Sequence, residues 1–350
     1  MANLTETAHH TRKILKISII LLVGFFVIKT SFKIGKSIWL KYRPSPPPPP
    51  TVAFGKLPKL NFPEEAGSPK LSFKLETIQG GLPKLSDVSH VYFMPQKGSN
   101  FLSLDRAKEQ AQKMGFKTSP QLIDQNLYRW TTWDTPNTNL EMNINSGNFH
   151  LRYEYESDKE LLIAKNLPTT QQAAQEAKNF LTRQGLLTND LAKGTAEFEY
   201  LRFDAERLVT APSISEADFI RVNLFRDNLN GLKILPPNPK KSTISFLFSS
   251  SRIIGKRIVE IDYTHFPIEL ETSGTYPLKP INSAWNQLEA EEGYIANLGQ
   301  NESGQITIRS VYLAFYDSAQ PQNYLQPIYV FEGDRGFFAY VPAMDPKWTE

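Results

Sequence analysis

Five histidines, a run of three serines and two pairs of adjacent acids are the residues with the plainest capacity for chemistry in this chain. None falls into a pattern that performs it. His9 and His10 precede an apolar segment and read as a flexible tail. His150 alternates with Phe149 and Leu151, so it points to the opposite, solvent side of a strand. His265 and His90 read as strand-end residues. No His-Glu-x-x-His sequence is present, and no His/Asp/Glu group has metal-ligand spacing, so neither metal nor cofactor is expected. Ser249-Ser250-Ser251 reads as a turn between strands. No Gly-x-Ser-x-Gly elbow or Ser-x-x-Lys motif occurs to make a serine a nucleophile. Adjacent residues on a helix face apart, which makes Glu291-Glu292 a poor acid/base couple, and Glu64-Glu65 lies in an aperiodic stretch. Glu332 and Asp334 sit where a hairpin turn is expected, and Asp and Gly are turn residues in their own right. Gly80-Gly81 and Gly333-Asp334-Arg335-Gly336 lack the lysine and the strand-to-helix setting of a phosphate loop. The chain is therefore read as having no catalytic, cofactor or metal residues. A carboxylate pair formed only in space would escape this reading.

Composition narrows the class further. Forty percent hydrophobic and 12% aromatic residues are enough for a real core in 350 residues, which excludes a disordered chain. A net charge of +3, with its basic excess near the N-terminus, does not make the basic face that nucleic acid requires. The chain has no cysteine, which removes disulfides and thiolate chemistry together.

The elements that must carry any function begin with a membrane segment. Ile17 to Ile28 is apolar apart from Ser18, with Ile17, Ile20, Leu21, Leu22, Phe25, Phe26 and Ile28 as the expected anchor. Alone it is shorter than the roughly 20 residues that cross a bilayer. Lys29, Lys33 and Lys36 follow at spacings that share one helix face, so the helix can continue to Trp39 if they snorkel. Trp39 and Tyr42 suit the far interface. A cleaved signal peptide needs a small-x-small site, and Lys29-Thr30-Ser31-Phe32-Lys33 offers none. An in-plane amphipathic helix is the third option. Lysine and arginine counts favour a cytoplasmic C-terminal region: Arg12, Lys13 and Lys16 stand before the segment and Lys29, Lys33, Lys36, Lys41 and Arg43 after it. The stalk and the family resemblance below favour an extracytoplasmic one.

Pro46 to Pro50 form a stiff polyproline II spacer, rising about 3.1 Å per residue. An SH3-type ligand is the alternative use of such a run. Beyond it, Gly55-Lys56-Leu57-Pro58-Lys59-Leu60 and Gly81-Leu82-Pro83-Lys84-Leu85 repeat one motif, as edge strands or a wrapping arm. Three helical patterns follow. Leu104, Ala107, Ala111 and Met114 share a face, with Ser103 as N-cap and Gly115 as the stop. The second runs from Thr169 or Thr170 to Gly185, and the third, entered after Pro280, from Asn282 to Gly293. Behind each lie strands: 127–133, 140–144 and 149–155; then 196–203, 219–225, 243–248 and 257–263; then 306–316, 326–331 and 337–341. The expected organisation is a tail at 1–13, a transmembrane helix at 14–40, a proline-rich stalk and linker at 41–85, and helix-plus-sheet units at 86–166, 167–275 and 276–350. The fold class is α+β, because a short amphipathic helix and a one-sided meander each need the other as cover.

The third unit adds a resemblance. Leu325-Gln326-Pro327-Ile328-Tyr329-Val330-Phe331-Glu332-Gly333 and the closing Phe338-Ala339-Tyr340-Val341-Pro342-Ala343 resemble the PepSY-like units of the YycH/YycI regulatory group. The match is closest over Tyr276 to Ala343. It implies an exported region of tandem PepSY-like units behind one membrane helix, and no catalytic residues. The proline stalk and the middle strands depart from the group, which stops short of carrying over its restraint of a sensor kinase. The expected function is that of a non-enzymatic interaction or regulatory protein, binding membrane lipid through its N-terminal helix and another envelope protein through its folded part. Gly333, Asp334, Arg335 and Gly336 are the candidate partner surface, with exposed sheet edges beside them. An envelope hydrolase working through carboxylates and a structural scaffold are the alternatives.

Overall fold

A computed structural model describes residues 4–42, 49–64, 70–133, 136–163, 166–301 and 304–350. Residues 43–48, which include Pro46 to Pro48 of the spacer, lie outside the described residues, as does Glu65. Residues 1–49 and 50–350 are separate compact units. The first is one helix, α1 (Leu4–Tyr42), longer at both ends than the sequence suggests. Its span Arg12–Trp39 has a mean hydropathy of 2.1 and none of it is buried by protein, so it is long and apolar enough to cross a membrane.

The second unit is α+β. Its elements are β1 (Leu71–Leu75), β2 (Val88–Phe93), α2 (Ser103–Lys113), β3 (Gln121–Asp124), β4 (Leu127–Thr131), β5 (Thr138–Asn143), β6 (Phe149–Tyr153), α3 (Lys159–Ile163), α4 (Thr170–Gln184) and α5 (Asn189–Lys193). After them come β7 (Ala196–Asp204), β8 (Arg207–Thr210), β9 (Phe219–Leu224), β10 (Lys233–Leu235), β11 (Ile244–Ser249), β12 (Ile258–Tyr263), β13 (Glu269–Pro277), α6 (Ile281–Glu289), β14 (Tyr294–Asn297), β15 (Gly304–Tyr316), β16 (Tyr324–Gly333) and β17 (Phe338–Pro342). They build two sheets. The nine-stranded sheet runs β3-β4-β5-β6-β12-β11-β9-β7-β8. The eight-stranded sheet has the path β1-β15-β16-β17-β14, with β10 on β15 and β2 joining β13 to β16.

The helix-then-strands pattern is real, and the first two stretches fuse. Antiparallel pairing of β6 with β12 sets Leu151 opposite Ile261 and Phe149 opposite Tyr263. Both helices then cover one face of the joint sheet. Ala107 and Ala111 of α2, and Ala173, Ala177 and Leu181 of α4, share a core with Trp130, Leu140, Val222, Phe246 and Ile261. Alanine on the buried stripe lets each helix backbone sit close to the strands. Thr169 caps α4 in a reciprocal box with Gln172, and Gly185 ends it at φ 69°.

Several sequence expectations shift. Ser103 is the first helical residue rather than the N-cap, which is Leu102. Gly115 takes a left-handed φ of 100°, as expected of a stop. Gly293 does not end α6; Glu291 takes the left-handed φ of 61° there. Gly293 is needed for space, since a Cβ would meet Leu288 Cδ1 at 2.9 Å. Tyr155 falls beyond the end of β6, in a single 3-10 turn, and joins Tyr153 in a separate cluster with Leu201, Phe219 and Leu247. The strand orders also differ: β3-β4-β5-β6 follow α2 in sequence order, whereas the strands after α6 lie as β14-β17-β16-β15. β2, expected with the first unit, pairs instead with β13 and β16 of the eight-stranded sheet.

The segment after the spacer is both arm and edge strand. Thr51 and Thr275 exchange hydrogen bonds of 2.9 and 3.0 Å, and the Tyr276 hydroxyl accepts from the Phe54 amide and donates to the Gly55 carbonyl. Leu57 is fully buried and bridges Thr349. Phe62 then stacks on Tyr294 at 4.9 Å in a cluster on the opposite face of the same sheet. β1 completes the edge, parallel to β15. Because Leu57 has no exposed surface, Leu57→Ala should lower stability by about 2–5 kcal/mol. Urea unfolding followed by tryptophan fluorescence would measure this, and an unchanged midpoint would show the arm to be dispensable.

Candidate functional site

The anchor residues first: Ile17, Ile20, Leu21, Leu22, Phe25, Phe26 and Ile28 are each half or more exposed along α1, with no protein cover. That is the disposition of side chains that need an apolar solvent.

The hairpin connection named from sequence is tied down. Arg309 forms a two-pronged ion pair with Asp334 at 2.9 and 2.7 Å and reaches Glu76, beside β1, at 2.8 Å. The Arg309 contacts hold the half-exposed Asp334 carboxyl below its usual range. The Gly336 carbonyl accepts from Asn297 Nδ2, and the Arg335 carbonyl accepts from the Gln300 amide. Gly299 packs so near Arg335 that a Cβ would sit 2.2 Å from its carbonyl oxygen. Of Gly333, Asp334, Arg335 and Gly336, only Arg335 is exposed. The four residues make an ordered corner that joins β1, β15, β16 and β17.

The histidines divide. His150 does lie on the face opposite Phe149 and Leu151, where its Nδ1 is 2.7 Å from Asp262 Oδ1 and Ser245 Oγ donates to the other Asp262 oxygen at 3.1 Å. Its hydrogen bond to Asp262 raises its pKa above 6.5, against burial. Ser245 touches the acid and not the imidazole, so the three do not form a nucleophilic relay. His265 stands just past the end of β12, and its side chain is nearly buried. Its Nε2 lies 3.1 Å from Asp190 Oδ2, which also accepts from Arg226 Nε at 2.6 Å. Arg226 reaches both oxygens of Asp317 at 3.2 Å. Burial pushes Asp190 upward, but His265 and Arg226 outweigh it and hold the carboxyl well below its usual range. Asp190 and Arg226 belong to the nine-stranded half and Asp317 follows β15, so this cluster staples the two sheets. Among the described residues no group of three or more His, Asp or Glu is arranged to hold a metal.

A wide opening lies elsewhere. A groove of about 1030 Å³ runs between α2 and α4 over the β6–β12 seam. Phe116, Leu151, Phe180, Ile258 and Ile261 floor it. Its rim carries Lys113, Arg183, Arg252 and Arg257 against the single carboxylate of Glu176. Arg257 is spent on Glu176, at 3.0 and 2.8 Å. Lys113 is paired with Glu109 on its exposed helix face at 3.1 Å. Arg183 and Arg252 have no carboxylate partner among the described residues. The β11–β12 connection also sets Ile253 and Ile254 in water, 60% and 99% exposed, and Trp133, beside the lining Thr132, is 91% exposed. The trough thus joins an apolar floor to a rim with more cations than carboxylates.

Sequence reasoning did not find this groove, because its walls come from four segments far apart in the chain. The one local signal was Arg252-Ile253-Ile254-Gly255, two isoleucines in a connection where turn residues are expected.

Two outcomes follow. Arg226→Ala leaves the buried Asp317 carboxylate without its cation and Asp190 with His265 alone, so stability should fall by about 3–5 kcal/mol, read as a lower denaturation midpoint. His150 has a raised folded pKa, so its stabilising contribution is full below about pH 6.5 and is lost as pH rises through the folded value. An NMR titration should place His150 above 6.5, and Asp262→Asn should bring it back down.

No family model and no curated protein matches the chain. Among solved structures it is similar to the crystal structure of an uncharacterized protein from Eubacterium rectale ATCC 33656. The identity is 11% and the TM-score 0.35, over 74% of this chain and 84% of that one.

Proposed function

We propose that the chain is a single-pass, membrane-anchored interaction protein whose folded unit works outside the cytoplasm by binding another envelope protein. The binding is non-enzymatic and regulatory in character, and the helix-plus-meander stretches are units of the PepSY-like, YycH/YycI-like kind. The observation that carries this reading is the groove between α2 and α4, open and apolar, with isoleucine side chains left in water beside it. Exposed apolar side chains bordering a trough are the usual mark of a protein contact. The bare apolar length of α1 supports the anchor, and the proline spacer supports a unit held away from lipid. We favour the groove over the Gly333–Gly336 corner as the contact surface, since the Asp334 carboxylate and the Gly336 carbonyl are already engaged within the fold.

A photo-crosslinking residue at Ile254, compared with one at Ile214, tests the reading in intact cells. Ile214 is 63% exposed and does not line the groove. A discrete protein adduct from position 254 alone is expected. Equal labelling at both positions, or none at 254, would refute it. Protease added to intact cells should separate the folded unit from α1; protection of that unit would place it in the cytoplasm.

A further inference from the structure

The groove has a charge pattern as well as an apolar floor. Its cations fall at two stations. One is at the C-terminal ends of α2 and α4, with Lys113 and Arg183. The other is the β11–β12 connection with Arg252, whose neighbour Ser251 is bonded through its carbonyl by Arg257, the arginine that also grips Glu176 of α4. Glu176 and Arg183 stand seven residues apart on α4, which is about 10 Å along the axis. Ten ångströms is two helical turns. Between the stations the floor is aliphatic and aromatic.

Resting on the reading of the groove as a partner site, we infer that its occupant is an acidic amphipathic helical segment of the partner. It presents carboxylates seven residues apart to Arg183 and Arg252, and apolar side chains at the positions between them to Phe116, Phe180 and Ile258. Apolar anchors at i+3 and i+4 lie on the same helix face as acids at i and i+7, so one face satisfies floor and both stations. A single-headed anionic lipid fills one station and leaves the other cation unpaired, which is why the pattern favours a peptide. The excess of cations over carboxylates on the rim disfavours a basic segment by like-charge repulsion.

The test uses the full chain in detergent micelles and a panel of fluorescein-labelled designed helical peptides. All share one Leu/Phe face. They carry Glu at i and i+7, Glu at i and i+3, or Lys at i and i+7. The Glu i/i+7 peptides should bind at least fivefold more tightly than either other set, with affinity falling as salt rises. Arg183→Glu with Arg252→Glu should reverse the preference toward the Lys peptides. Both arginines are exposed, and an unchanged unfolding midpoint would verify that the variant folds. Equal affinity for Glu and Lys peptides overturns the inference, as does binding of none. Saturable binding of phosphatidylglycerol vesicles that needs Arg183 and Arg252, without peptide binding, also overturns it. The Ile254 crosslink separates the two levels. If that adduct persists in cells while charge reversal has no effect, the groove binds a partner of other chemistry. If the adduct is missing, the site itself is wrong.

Discussion

The pairing of β6 with β12 is the constraint on which the rest of the nine-stranded half depends. Each helix-plus-meander stretch alone would leave a strand edge with unsatisfied backbone groups. Antiparallel contact between the two last strands removes both edges at once and sets Leu151 against Ile261. Register is fixed because a one-residue slip would turn Leu151 and Phe149 to the polar side and His150 into the core. With the strands joined, α2 and α4 must lie on one face, each over its own strands. Gln110 Nε2 meets the Gln184 carbonyl and side chain at 3.3 Å where the helices approach. The trough beyond that contact is what remains when two three-to-four-turn helices cover a sheet wider than the pair of them. Its position on the seam is thus geometric, whereas its cationic rim is a matter of which residues stand there.

Much of the local structure was legible, and for identifiable reasons. The Ala107/Ala111 and Ala173/Ala177 stripes have helical period, and Phe149-His150-Leu151 has strand period, so each declares its element without help from the rest of the fold. Thr169 and Gly185 are end signals whose physics is local. Gly293 shows the limit of that logic. A glycine after a helix was read as a backbone need, but the need is steric, set by Val341 and Leu288 across the packing, and invisible until both are placed. β1 and β10 were hidden for another reason. Each pairs in parallel with β15, far along the chain, and short parallel strands carry no hairpin turn to announce them. The rim of the groove is non-local in the same way. Arg183 belongs to a helix and Arg252 to a strand connection, and nothing in their spacing relates them.

The polar interior follows a different rule from the apolar one. Where the sheets meet, the chain buries Arg226 with Asp190 and Asp317 instead of filling the space with aliphatic side chains. Such an arrangement gains little net stability over a hydrophobic alternative, but it tolerates few relative placements of the two sheets. β10 acts with it: the chain leaves the nine-stranded sheet after β9, pairs with β15, and returns as β11. His265, read from sequence as a strand-end residue, is drawn into this junction by its contact with Asp190.

The woven arm also sets a load path. Tension arriving along the backbone from residue 49 acts first on Thr51 and its reciprocal bonds with Thr275, next on the Tyr276 clasp of Phe54 and Gly55, and only then on Leu57 beside Thr349. The grips are met one after another, so force would unzip them serially from the N-terminal end of the arm instead of straining the sheet as a whole. Release as far as Leu57 would also free the Trp348 and Glu350 backbone groups that bond it, so the two ends of the folded unit would come loose together.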